Sequence, residues 1–384
     1  MKTLIELYDE NPIENVLGTE VFRPKEMVLL CPPEVESRRA LKESLDKYFR
    51  HRGCPVKITI VPVSLLDADK VAKRIREVLA AREDCAIDIS GGTDAALFAA
   101  GLVGAETSVY TYSRKKNAFF EVRNAPFARN YPCKVSLDVE SCFLMAGGTL
   151  LPGREDSSLL REKLPEIDAL FSVFRKYRKE WRRQIGYIQQ ISSSEPGVLT
   201  ADGPSELRAD HNLFRAHEGM LKMLEEKDLI RDLEIEDNHV HFSFLDETVR
   251  FWLRDIGAVL EVKVFRSCLE AECFQDVVFS AIVNWEGGTT QRNAVTNEID
   301  VVAVRGIQPL FISCKTNEIR TEALNELAII RDRFGGKGSR AMIVTSANAT
   351  RSRAVMRMRA NELGIEVVEW GDLISNRLVD RLKM

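Results

Sequence analysis

The sequence predicts an α/β protein in three consecutive parts: a parallel-sheet unit over 1–153, a helical connector over 154–245 and a second α/β unit over 246–384. Three observations carry this reading. Up to residue 150, short apolar runs alternate with amphipathic ones, the pattern of parallel strands joined by crossover helices. Between 159 and 191 the helical period is sustained. Beyond 246 the runs follow in the order helix, three strands, helix, strand. The two most hydrophobic strands, with Val301, Val302 and Val304 in one and Leu310, Phe311 and Ile312 in the other, flank Arg305-Gly306 and read as a β-hairpin.

At 384 residues, with 45% hydrophobic and 29% charged residues, the chain can bury two or three separate cores. No apolar run approaches the roughly 20 residues of a membrane span, and the N-terminus lacks an apolar segment with a cleavage site. A cytoplasmic protein without membrane contact is therefore expected. Eight cysteines occur without a C-x-x-C pair, and Cys31, Cys85 and Cys314 lie in or beside apolar strand runs. They read as free thiols of a reducing compartment and speak against a zinc site. The net charge of −4 means that any nucleic-acid binding must come from local basic patches.

In the first part, 27–31 is a short strand stopped by Pro32-Pro33, 37–49 an amphipathic helix, 56–62 a second strand and 68–81 a second helix. A third strand from Cys85 runs into Ser90-Gly91-Gly92-Thr93-Asp94 and the small-residue helix 95–101. Strand, Gly-Gly turn and helix N-terminus together form a Rossmann-type anion site: bare glycine backbone admits a phosphate, and free amides with the helix dipole hold it. The segments 109–112 and 118–122 make a further hairpin with Arg114, Lys115 and Lys116 in its turn, followed by Arg123, Arg129 and Lys134. A last apolar element from Cys142 breaks at Pro152-Gly153, where the first boundary is placed.

The Ser-Gly-Gly-Thr turn after a strand resembles the CRISPR-associated Rossmann fold (CARF) sensor domains. That resemblance implies a cyclic oligoadenylate bound across a homodimer interface, with Ser90, Gly91, Gly92, Thr93 and Asp94 contacting it. Asp94 stands where many such domains carry a lysine, which removes one phosphate partner. The basic cluster from Arg114 to Lys134 is the candidate replacement.

In the connector, Phe174, Tyr177 and Trp181 form one apolar stripe, while Arg175, Lys176, Arg178, Lys179, Arg182 and Arg183 fill the other faces. Such a helix can hold nucleic-acid backbone, but the expectation here is an amphipathic connector with a solvated face. The stretch 192–204 reads as a loop. A helix over 213–230 followed by strands around Asp237-Asn238 resembles a winged helix-turn-helix. Glu225, Glu226 and Asp228 on the helix would repel phosphates, so the module is read as structural. His239 and His241 share a strand face and read as surface residues.

The last part has a helix over 247–261, a strand over 274–284, the hairpin, a helix over 325–334, a strand over 341–344, a helix over 352–363 and a strand over 365–369. Asp300 opens the first hairpin strand and Lys315 closes the second, so the antiparallel pairing sets carboxylate and ammonium side by side. Order and motif together resemble the PD-(D/E)xK nuclease superfamily, a restriction-endonuclease-like fold. Ser313 occupies the position where most members carry an acid. Glu298, two residues from Asp300 and so expected on the same strand face, is the candidate compensation, as is Glu261 in Gly-Ala-Val-Leu-Glu. The resemblance implies Mg²⁺ or Mn²⁺ held by Asp300 with Glu261 or Glu298 and the Cys314 carbonyl, with Lys315 as the catalytic cation. Arg351, Arg353, Arg357 and Arg359 are candidates for substrate contact.

Over its full length the chain resembles the CRISPR ancillary nucleases of the DUF1887-like type. A metal-dependent nuclease for DNA or RNA, activated as a homodimer by cyclic oligoadenylate, with cyclic tetra-adenylate as the expected ring, is what this resemblance implies. Two other readings fit parts of the sequence: a ligand-responsive winged-helix transcription regulator with a degenerate nuclease domain, and a stand-alone repair or restriction nuclease.

Overall fold

The computed structural model describes residues 1–34, 38–153, 155–209, 211–287, 294–347, 354–375 and 377–384. Strands β1 (Thr3–Leu7), β2 (Glu26–Cys31), β3 (Lys57–Pro62), β4 (Cys85–Asp88), β5 (Ser108–Ser113), β6 (Ala118–Arg123) and β7 (Tyr131–Pro132) form one sheet in the order β3-β2-β1-β4-β5-β6-β7. The first five in that order run parallel, and β6 and β7 are antiparallel additions. The central strand β1 is the element that sequence reading passes over. All five of its residues are buried, and Glu6, the fourth of them, interrupts its apolar run.

Helices α1 (Leu17–Phe22), α2 (Arg38–His51), α3 (Ala68–Ala81), α4 (Asp94–Leu102) and α5 (Val139–Met145) complete this unit. Asp67 caps α3 by accepting the Lys70 N–H, and Thr93 caps α4 by accepting the Ala96 N–H at 3.3 Å. On one face of the sheet Ile5, Leu7, Val28, Leu30 and Ile87 pack against Val71 and Ile75 of α3 and Ala96 and Ala99 of α4.

Glu6, Asp88 and Tyr110 meet inside this unit around Gly18. A Cβ on Gly18 would collide with the Asp88 carboxyl and lie 2.5 Å from the Tyr110 hydroxyl and 3.1 Å from Glu6 Oε1. Burial pushes the Asp88 carboxyl up to about 7 and Glu6 well above the usual carboxylate range, the charge of Asp88 adding to the latter. Between about pH 4, where the unfolded carboxyl ionises, and about 7, the folded protein holds a proton that the unfolded chain has released. Each such proton lowers stability by about 1.4 kcal/mol per unit of rising pH. Asp88→Asn retains the Oδ1 that accepts the Ser90 N–H at 2.7 Å. It is expected to remove about one proton's share of that slope in melting temperature against pH, and an unchanged slope would show that Asp88 ionises normally.

The chain then crosses over. Strand β8 (Thr149–Leu151) already belongs to a second sheet, so the chain enters that sheet ahead of the boundary expected at 153. Helices α6 (Ser157–Glu162), α7 (Leu164–Lys176) and α8 (Trp181–Ile191) follow, and then β9 (Thr200–Pro204), the hairpin β10 (Glu206–Ala209) and β11 (Asn212–Arg215), α9 (Glu218–Glu226), β12 (Ile230–Glu236) and β13 (His239–Phe244). The loop expected over 192–204 thus contains β9, which pairs with β13. The helix expected over 213–230 is confined to α9, because Leu213 and Phe214, which fit its apolar period, lie in β11. Phe214 packs over Gly186, where a Cβ would sit 2.9 Å from its ring.

The remainder comprises α10 (Glu247–Trp252), α11 (Ala258–Glu270), β14 (Asp276–Asn284), β15 (Thr296–Arg305), β16 (Gln308–Lys315), α12 (Thr321–Phe334), β17 (Arg340–Thr345), α13 (Ala354–Glu362), β18 (Ile365–Val368), α14 (Trp370–Ile374) and α15 (Arg377–Lys383). The single helix expected over 247–261 is two helices. The Asp255 carboxylate accepts the N–H groups of Gly257 at 2.7 Å and Ala258 at 3.2 Å and so starts α11 afresh. The sheet order is β18-β17-β16-β15-β14-β8, with the hairpin at its centre.

One face of this sheet packs against α11, and α7 and α8 extend the same core behind it. The other shares a core with the first sheet, joining Leu4, Met27 and Leu29, Tyr48 of α2 and Phe143 of α5 to Val302, Phe311 and Ala341 and to Leu324 and Phe334 of α12. The cysteines at 54, 85, 133, 142, 268, 273 and 314 are free thiols. Among the described residues no helix is long and apolar enough to cross a membrane.

Candidate functional site

The hairpin register sets Val301 opposite Ile312 and Val302 opposite Phe311, which brings the head of β15 beside the tail of β16. Asp300 Oδ2 accepts the Cys314 N–H at 2.5 Å and the Ser313 hydroxyl at 3.3 Å, and the Lys315 ammonium lies 3.9 Å away. Asp300, Ser313, Cys314 and Lys315 therefore converge. Burial raises the Asp300 carboxyl above its ordinary range. The positive charge of Lys315 and the hydrogen bonds from Cys314 and Ser313 oppose this, and the negative charge of Glu298 reinforces it.

Across the sheet, Ser280 of β14 lies between Phe279 and Ala281, which pair with Val301 and Ile299 on either side of Asp300, and it has a left-handed backbone, φ +50°. A β residue rarely adopts that conformation, and here it inverts the alternation of the strand. Val277 and Phe279 pack in the core beneath α11, whereas Ala281 and Val283 pack in the core shared with the first sheet. Opposite them Val301 and Ile299 divide between the two cores in the same way. The expectation that Glu298 and Asp300 share a face by simple alternation therefore rests on a strand whose faces change over at Asp300. Glu298 Oε1 accepts the Ser280 hydroxyl at 2.8 Å. Ser280 was not legible as a site residue, because backbone inversion leaves no mark in the sequence V-V-F-S-A-I.

Glu261, in the first turn of α11, folds back over Gly257, where a Cβ would lie 2.7 Å from its Oε1. Burial, and then the charges of Asp300 and Glu261, push the Cys314 thiol far up. Among the described residues no three His, Cys, Asp or Glu side chains converge to hold an ion by themselves. Mg²⁺ is commonly held by one or two carboxylates, with water and substrate phosphate completing the shell. A partly buried carboxylate at Asp300 with Glu298 close enough to act on it fits that hard, incomplete donor set and does not fit zinc.

Of the arginines expected to contact substrate, 351 and 353 lie outside the described residues. Arg357 pairs with Glu369 at 2.9 Å, and Arg359 donates to Asn325 at 3.0 Å. These two are engaged within the fold.

In the first unit, the ends of β1 and β4 lie side by side at the point where strand order reverses, the usual ligand position in such sheets. A cleft of about 440 Å³ opens there, lined by Tyr8, Asp9, Asn11, Gly92, Thr93 and Lys337 among others. Gly92 has φ +105°. Its N–H donates to Asp9 Oδ2 at 3.0 Å, so an internal carboxylate holds the amide expected to face a phosphate. The Ser90 hydroxyl accepts the Tyr112 N–H at 2.8 Å and donates to Asp88. Gly91 packs on Asp9 and Glu14, the Thr93 hydroxyl donates to Leu65 O, and Asp94 opens α4.

The basic cluster expected to face the ligand is largely engaged elsewhere. Arg114 binds Glu14 at 2.8 Å and the Lys337 carbonyl, Arg123 donates to the Val103 carbonyl at 2.8 Å, and Arg129 pairs with Glu121. Lys115, Lys116 and Lys134 are exposed. The cleft also joins the two halves, since Asn11 Oδ1 accepts the Lys337 N–H at 3.1 Å in the turn that follows α12. Further along α12, Glu326 accepts from Asn297 at 2.6 Å, one residue before Glu298.

Residues 246–383 match the model of the family described as Card1-like, endonuclease domain. The C-terminal part of the chain thus carries an endonuclease-type domain. Over nearly its whole length the fold matches two solved structures. Protein VC1899 from Vibrio cholerae aligns at 17% identity over 99% of this chain and 97% of its own, with a TM-score of 0.74. Can2 from Sulfobacillus thermosulfidooxidans, in complex with cyclic tetra-adenylate, aligns at 15% identity over 100% and 99%, with a TM-score of 0.70. The expected α/β architecture, a Rossmann-like half joined to an endonuclease-type half, is therefore that of the chain. No curated protein sequence matches it.

Proposed function

We propose that the chain is a metal-dependent endonuclease of type III CRISPR defence, cytoplasmic and active as a homodimer, in which a cyclic oligoadenylate, cyclic tetra-adenylate in the first instance, controls cleavage of DNA or RNA. The observation that carries it is the meeting of Asp300, Ser313 and Lys315 at one end of the central hairpin, inside the segment matched by the endonuclease family. The ring is argued from the cleft at the β1/β4 switch point and from the ligand that Can2 binds in a similar fold. The homodimer is argued from Phe98 and Leu102, which leave α4 63% and 53% exposed next to the Gly-Gly turn, and from Leu66 at 81%.

Asp300 and Glu298, with Glu261 in reserve, would hold Mg²⁺ or Mn²⁺. The bound ion supplies Lewis-acid charge, which acidifies water and offsets charge on the phosphate oxygens. Lys315 sets an ammonium beside Asp300, where it stabilises the anionic transition state and holds the raised Asp300 carboxyl towards its ionised form. Ser313 supplies a hydroxyl hydrogen bond where an acid is usual, orienting Asp300 without adding charge.

The test is incubation of the full chain with Mn²⁺ and labelled DNA and RNA, with and without each cyclic oligoadenylate. The expected result is cleavage that chelation abolishes and one ring size stimulates. Equal cleavage after chelation, or with every ring and with none, would sink the reading.

A further inference from the structure

We propose that the elbow between α7 and α8 is the surface that carries the nucleic-acid backbone past the Asp300–Lys315 site, an inference that rests on the nuclease reading above. From 175 to 183 the chain reads Arg-Lys-Tyr-Arg-Lys-Glu-Trp-Arg-Arg, six cations against one acid in a protein whose net charge is −4. Three of these residues point inward and fix the elbow. Tyr177 donates its hydroxyl to the Gly219 carbonyl at 2.9 Å, and buried Trp181 donates its ring N–H to the Ile256 carbonyl at 3.2 Å. The Arg178 guanidinium lies 4.4 Å from the centre of the Trp370 ring and donates to the Ser346 carbonyl at 2.6 Å.

That last contact sets the position of the elbow relative to the site, because the Ser346 N–H donates to the Lys315 carbonyl at 3.1 Å. On its other side α7 packs along α11, with Lys263 and Arg266 reaching Asp168 at 3.7 and 3.6 Å and Lys263 lying over Phe171. The C-terminal end of α7 therefore lies towards the start of α11, where Glu261 sits. The elbow flanks the site from both directions.

The other five cations, Arg175, Lys176, Lys179, Arg182 and Arg183, are exposed, and among the described residues none of them pairs with an acid. A merely solvated helix face interleaves charges of both signs. Here a rigid, anchored turn presents one sign beside a phosphodiester-cleaving site, and a polyphosphate strand is the partner whose charge complements it. Arg357 and Arg359, the cations that the sequence motif favoured for this task, are taken up by Glu369 and Asn325.

The experiment measures anisotropy of labelled single-stranded DNA, duplex DNA and RNA oligonucleotides with the full chain carrying Lys315→Ala, so that the probe survives, at about 50 to 200 mM salt. Adding Lys179→Gln, Arg182→Gln and Arg183→Gln is expected to weaken binding by about tenfold or more. The slope of log K against log salt should fall in magnitude by about 2 to 3, the value for three lost phosphate contacts. With Lys315 intact, the same triple variant should raise KM and leave kcat nearly unchanged. The same charge change on α3 (K73Q, R74Q, R76Q) should do neither.

Unchanged affinity and slope in the elbow variant, an equal loss from the α3 variant, or no binding of any probe would overturn the proposal. Cleavage by the elbow variant at unchanged KM would remove the surface and leave the nuclease reading standing. Elbow-dependent binding without cleavage by the unsubstituted chain would support the surface and remove the nuclease reading.

Discussion

Replacing Lys315 with alanine is expected to give a folded protein whose cleavage is at least about 10²-fold slower. Lys315 is 40% exposed and its partner Asp300 lies 3.9 Å away, so the pair contributes little to stability, as partly exposed ion pairs generally do. The catalytic loss has two sources. The ammonium that would meet the anionic transition state is gone, and Asp300 loses the nearest charge that opposes the effect of burial on its carboxyl. Asp300 must be ionised to hold a cation, so wild-type activity falls as pH drops through its raised pKa. In Lys315→Ala the residual activity should need a higher pH still. Single-turnover cleavage against pH checks both effects. Full-rate cutting by the variant, or an unmoved acid limb, would exclude Lys315 from the chemistry.

The second large effect is expected at Gly92. Its φ of +105° is a conformation that side chains avoid, and a Cβ would lie 2.9 Å from the Leu7 Cβ. Leu7 ends the central strand and is fixed in the core, so the turn must yield. In Gly92→Val the turn from Ser90 to Asp94 should shift off the start of α4, lowering affinity for the cyclic activator by about tenfold or more and cancelling its stimulation of cleavage. The strain is of the order of 1–3 kcal/mol, so a melting curve should still show a folded chain. Lys315→Ala should give the mirror image, with the ring bound and nothing cut. Calorimetry for the ring and gels for cleavage, run on both variants, separate the two halves of the mechanism. An unaltered response of Gly92→Val to activator would displace the ligand from this turn.

What the sequence made legible follows from which signals are local. The hairpin was readable because Val301 to Ile312 are β-formers around Arg305-Gly306, and its register then brings Asp300 to Lys315. Helix α3 was readable from the alternation of strand-like and helix-like runs, and α4 from its small residues after the Gly-Gly turn. β1 was not, because Glu6, whose carboxyl is buried with Asp88 and Tyr110, imitates a surface residue. The break between α10 and α11 was signalled by Asp255 two residues before Gly257, but it lay inside an unbroken apolar period. Ser280 and the Asp9–Gly92 hydrogen bond have no sequence signature at all, since one is a backbone conformation and the other joins residues 83 positions apart. The elbow cations were visible as charges. Their position was not, because it depends on Arg178 reaching Ser346, 168 residues away.

Leu29, Phe143, Phe311 and Phe334 belong to one core, so the first sheet and the second are bolted together like the handle and jaw of a single lever. Close-packed interiors transmit displacement instead of absorbing it, and the shared core leaves little slack to dissipate a rotation. If, as proposed, two copies grip one ring at a two-fold axis, it would swing each handle and carry each jaw through an arc that widens with distance from the pivot. The spacing and tilt between the two cutting edges would then report whether the ring is present. Strands that need a different spacing would be spared by the same motion that condemns others, so substrate choice and activation would be two readings of one angle.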